Sequence, residues 1–74
     1  MEDRVYRIIR VVGSSKDSVS DAIDRAIERA SKNLHNLRWF EVVETRGNIK
    51  GGAVENYQVT LRVGFTLDDG EDED

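Results

Sequence analysis

The 74-residue chain has room for one small domain, which buries only about 60% of its unfolded surface and needs something beyond its own core for stability. With no cysteine and a single histidine, disulfides and a structural metal are excluded from that role, which leaves self-association. The formal charge of -4 is unevenly spread: Asp68 to Asp74 holds six of the fifteen acidic residues, leaving eleven basic against nine acidic residues, net +2, over residues 1–67.

That division predicts a folded domain over residues 1–67 and an acidic, disordered tail over 68–74. The absence of cysteine fits a reducing compartment. No apolar run approaches the roughly 20 residues of a membrane span, and Met1-Glu2-Asp3-Arg4 lacks the apolar segment of a signal peptide. A soluble, cytoplasmic protein without a membrane partner is expected. Arg4, Arg7 and Arg10 alternate in strand parity, so they make no single basic face, and no nucleic-acid partner is expected.

The first element is a strand from Arg4 to Val12, with Val5, Ile9 and Val11 on one side and Ile8 on the other. Gly13-Ser14-Ser15 is expected to break it. Either Ser15 or Ser18 can then cap a helix, because each hydroxyl can accept from an orphan backbone N–H, and Asp17 and Asp21 suit its positive end. Val19, Ala22, Ile23, Ala26, Ile27, Ala30 and Leu34 recur at spacings of three and four, a narrow apolar stripe whose alanines predict close approach to a sheet. A second strand runs from Leu37 to about Thr45. The stretch Gly47 to Gly52 comes next, with Gly51-Gly52 as a hairpin signal, and a third strand runs from about Val54 to Leu67. In this last strand Tyr57, Val59, Leu61, Val63, Phe65 and Leu67 alternate with Gln58, Thr60, Arg62 and Thr66. Gly64 marks a bulge or a close backbone contact.

The fold class is therefore α+β, a single β-α-β-β domain whose three-stranded antiparallel sheet wraps around one helix. One helix covers one sheet face, so the other is open. Phe40 and Val42 supply the covered side of the second strand, which turns Trp39 and Val43 to the open side with Ile8. Exposed apolar area there is worth about 25 cal/mol per Å², which favours burial between copies of the chain. About a two-fold axis Trp39 would meet its own copy and form a slot. Gln58 falls on the same face, and an indole plane with a carboxamide suits a flat heteroaromatic ligand, one part stacking and the other hydrogen-bonding. Glu44 and Thr45 flank the same edge. Strict alternation from Phe40 and Val42 sends Arg46 to the helix side, and only a bulge, a twist or a position beyond the helix end frees it.

From Val5 to Leu67 the chain resembles the dodecins. The resemblance is carried by Gly13-Ser14-Ser15, the alanine-striped helix, Leu37-Arg38-Trp39-Phe40-Glu41-Val42, Thr45-Arg46-Gly47, and Tyr57-Gln58-Val59 with Val63-Gly64-Phe65. It implies a hollow shell of twelve subunits that holds flavins in stacked pairs between two-fold-related tryptophans. Trp39 takes the stacking position, Gln58 that of the glutamine at the isoalloxazine edge, and Arg46 that of an arginine near the flavin, where it would help hold a phosphate. FMN is the expected ligand, with riboflavin and FAD as related flavins and coenzyme A as a further cofactor of the family. The implied function is flavin storage and sequestration with quenching of flavin photochemistry. The alternatives are a structural or interaction oligomer in which the tryptophans only pack, or a carrier of another cofactor. No nucleophile with a base, metal cluster or phosphate-cradling loop is legible, so no enzyme is expected.

Overall fold

The computed structural model describes residues 5–67. β1 (Tyr6–Ser15), α1 (Val19–Ser31), β2 (Leu37–Lys50) and β3 (Ala53–Thr66) succeed one another in the expected β-α-β-β order. The sheet order is β1-β3-β2, and β3 is antiparallel to both neighbours. The last strand thus occupies the centre, and α1 is the crossover that carries the chain from one edge to the other. Arg4 and the expected acidic tail lie outside the described residues.

Gly13-Ser14-Ser15 does not end β1 as expected, since pairing with β3 continues to Ser15 opposite Tyr57. Gly13 serves the packing instead. A Cβ there would strike the Ala22 carbonyl and lie 2.8 Å from the Ala26 Cβ, so the missing side chain is what lets α1 close onto the sheet. Both candidate serines act at the helix start. Ser18 is the N-cap and its hydroxyl accepts from the Asp21 N–H at 3.0 Å. Ser15 accepts from the Asp17 N–H at 2.9 Å and donates to Asp21 Oδ2 at 2.6 Å, where Arg25 Nε also donates at 2.7 Å. The Arg25 guanidinium first, and then the Ser15 hydroxyl, hold the Asp21 carboxyl below its ordinary pKa. The helix stops at Ser31, before the expected Leu34, and Asn36 turns the chain into β2 with a left-handed φ of 65°.

β2 does not end near Thr45. It runs through the glycine-marked stretch to Lys50, and the turn is Gly51-Gly52 alone, with φ of +61° and +80°. Positive φ at both central residues is the requirement of a type I′ hairpin.

The core forms where α1 lies over β1 and β3. Val59, Leu61 and Val63 are buried on β3 against Ala22 and Ala26, with Ile9, Val11, Val19, Ile23, Ile27 and Leu37 closing the rim. A 13-residue helix is about 20 Å long whereas 14-residue strands span about 46 Å, so α1 cannot cover the whole hairpin. β2 remains exposed along its length apart from the partly covered Leu37. Phe40 and Val42, expected to be core residues, do face the helix side but stay 47% and 42% exposed, because α1 packs on the other two strands. Both faces of β2 are therefore bare in the single chain.

Candidate functional site

Pairing partners on neighbouring strands share a face, so the register decides which side chains meet. Two bulges in β2 control the outcome. One falls between Leu37 and Trp39, and the second between Val42 and Glu44. Each inserts an extra residue and inverts the parity of the later β2 positions relative to β3. Phe40 and Val42 pair with Val63 and Leu61 on the helix side, while beyond the second bulge Glu44 pairs with Thr60 and Arg46 with Gln58. Arg46 is thereby carried to the open face. Thr45 moves the other way: expected at the edge of the pocket, it pairs with Val59 and belongs to the helix side.

On the open face the rows succeed one another along β3. Ile8, Gly64 and Trp39 form one row, then come Arg10, Arg62 and Glu41, then Val12, Thr60 and Glu44, then Ser14, Gln58 and Arg46. Trp39 lies flat over Gly64: a Cβ on Gly64 would penetrate the indole, meeting Cε2, Cζ2 and, at 2.7 Å, Nε1. The glycine thus seats the ring against the sheet, and Trp39 keeps 39% of its surface exposed. Tyr6 stands beside it with ring centroids 6.4 Å apart and planes tilted by 53°. Tyr6 has no mark in the sequence beyond strand parity, so its place here comes from the structure alone. Thr66, in the Tyr6 row, is 3% exposed and its hydroxyl oxygen has no hydrogen-bond partner among the described residues.

Trp39 and Gln58 share a face without forming one site within a chain. Gly64 and Gln58, the β3 residues of their two rows, are six positions apart, about 20 Å along the strand. One flat ligand cannot touch both in a single subunit. Two concave spaces of the single chain lie beside α1, and neither joins Trp39 to Gln58. A groove of about 540 Å³ runs between α1 and β1 past Val11, Arg25 and Arg29, and a cleft of about 440 Å³ lies between α1 and the start of β2 past Ile23, Ile27, Phe40 and one edge of Trp39. Neither includes Gln58 or Arg46. Among the described residues no group of three or more His, Cys, Asp or Glu side chains could hold a metal ion, and no helix is long and apolar enough to cross a membrane.

The dodecin family model matches residues 5–68, which takes in all four elements of the fold. The chain belongs to the dodecin family. A dodecin of Thermus thermophilus is 46% identical over 66 residues, covering 89% of this chain and 96% of that protein. The structure of the dodecin from Streptomyces davaonensis superposes with a TM-score of 0.87 at 48% identity, covering 92% of this chain and 100% of that one. A more distant relative is the calcium dodecin of Mycobacterium tuberculosis, whose structure is described as having a novel calcium-binding site; it gives a TM-score of 0.75 at 26% identity, over 93% of this chain and 99% of that one. Dodecins are small binding proteins that assemble from copies of one chain, and ligands differ within the family. Assembly meets the need left by the bare β2.

Proposed function

We propose that this dodecin binds and stores flavin, FMN foremost, holding flavins in stacked pairs between Trp39 residues of two-fold-related copies and quenching their photochemistry. The observation that carries the reading is the Trp39 platform, with the indole seated on Gly64 and its outer side free for a planar ring. Such a ring gains aromatic stacking worth roughly 0.5–1.5 kcal/mol beyond the area it buries. Gln58 supplies one donor and one acceptor for a ring edge, and Arg46 beside it supplies a cation. Both would reach the ring from another copy, and Glu44 lines the row next to theirs. Thr45 stays outside this arrangement because of its register with Val59.

Bound flavin would supply an excited state that accepts an electron, and the electron-rich indole of Trp39 is the donor held against it. A ring enclosed between two indoles has no free face for a substrate, which supports storage rather than turnover.

The test is a fluorescence titration of FMN with the purified protein, run beside native mass determination. Strong quenching at one flavin per subunit in a twelve-subunit species, weakened severalfold or more by Trp39→Ala, supports the reading. A colourless oligomer that leaves FMN fluorescence unchanged would instead make the tryptophans packing residues only.

A further inference from the structure

A flat ring on the outer side of Trp39 leaves its substituent to run along the sheet. The adjoining row on that face is Arg10, Arg62 and Glu41, two residues and about 7 Å from the row of Ile8, Gly64 and Trp39. Arg10 stands directly opposite Arg62, and like charges so placed on neighbouring strands are destabilising. Glu41 answers one of them, with its Oε1 accepting from Arg62 Nη1 at 3.2 Å. Arg10 is exposed and has neither an ion pair nor a side-chain hydrogen bond among the described residues. The row therefore carries one unanswered positive charge next to the aromatic platform.

We infer that Arg10, assisted by Arg62, is a phosphate-binding subsite of the flavin site, and that it selects phosphorylated flavins over riboflavin. This rests on the proposed flavin function and adds the part of the ligand that is recognised and the residues that recognise it. The guanidinium fork matches phosphate oxygens in a bidentate, charge-assisted geometry, and a phosphate between the two arginines relieves their mutual repulsion. The ribityl chain linking ring and phosphate is long enough to cross one row. Arg46, the arginine that the sequence offers for the same task, is three rows from the Trp39 of its own chain, about 20 Å along the strand, whereas Arg10 serves a ligand on its own Trp39.

The experiment is to titrate FMN and riboflavin separately with the assembled wild-type protein, Arg10→Ala and Arg46→Ala, at low and high salt, reading flavin quenching. Wild type should prefer FMN, and the preference should shrink at high salt as the exposed charges are screened. Arg10→Ala should weaken FMN binding about tenfold, the scale of one charge-assisted contact, and leave riboflavin binding within about twofold. Equal loss for both ligands, no loss for either, or loss of the preference only in Arg46→Ala overturns the subsite. If Arg10→Ala fails to assemble, the wild-type salt series decides, and an FMN-to-riboflavin ratio unmoved by salt overturns it. Tight wild-type binding of both flavins without preference overturns the subsite and leaves the flavin function standing. No binding of either flavin overturns both.

Discussion

The indole of Trp39 lies on the backbone of Gly64, its partner across β2 and β3, at a spacing that leaves no room for a Cβ. The smallest side chain in the sheet thus holds the largest one flat. Gly64→Ala should force the indole off the sheet, destabilise the fold by about 1–3 kcal/mol as an overpacked contact does, and weaken flavin binding. Denaturant unfolding and the near-UV circular dichroism of Trp39 check this, and unchanged spectra with unchanged affinity would show that the ring does not need its seat.

Gly13 plays the corresponding part on the helix side. Its Cβ would collide with the Ala22 carbonyl, which is backbone and cannot rotate away. Gly13→Ala should therefore lower stability by about 1–3 kcal/mol or more, while Ser14→Ala, on the neighbouring exposed position, should change it by no more than about 0.5 kcal/mol. Urea unfolding of the two variants beside wild type measures the difference.

The helix-side face of β2 should be an interface between copies. Phe40 and Val42 are too exposed in the single chain to act as core residues. Phe40→Asp should shift the assembled species toward small oligomers or monomers in sedimentation velocity, with the secondary structure retained. A fully assembled Phe40→Asp shell would mean that no copy covers this face.

The start of α1 should carry a pH dependence of known sign. Arg25 and Ser15 lower the Asp21 pKa in the folded state, so its contribution is complete above the unfolded value, near 3.8, and is lost as pH falls through the lower folded value. Asp21→Asn should therefore be less stable than wild type at neutral pH, and the gap should close only in acid. Unfolding at a fixed protein concentration across a pH series measures this. A gap that persists unchanged well below pH 3.8 would remove the carboxylate from the helix start.

The order of elements was legible because each depends on local periodicity. The alternation of β3 marks Val59, Leu61 and Val63, and the three-and-four spacing of α1 marks Ala22 and Ala26; these are the buried residues. The Gly51-Gly52 turn was legible because glycine enters positive φ at no steric cost, and two in succession suit a turn that needs it twice. Strand ends were not. Gly13 and Gly47 look like breaks, yet both sit inside strands, where close approach of α1 or of Asn56 excludes a side chain. Of the candidate site, Trp39 and Gln58 were placed on the correct face by parity, while Glu44, Thr45 and Arg46 depended on a bulge.

The sequence by itself determined the β-α-β-β order, the core side of β3 and the stripe of α1, since these arise from side-chain alternation within one segment, and its family motifs named Trp39, Gln58 and Arg46 together. Only the tertiary structure decided that Arg46 joins Gln58 while Thr45 does not, that Gly64 seats Trp39, and that Arg10 faces Arg62 beside that platform. Those relations depend on register between strands, and one extra residue at Val43 inverts the positions from Glu44 to Asn48 relative to β3 without leaving a mark in the local pattern.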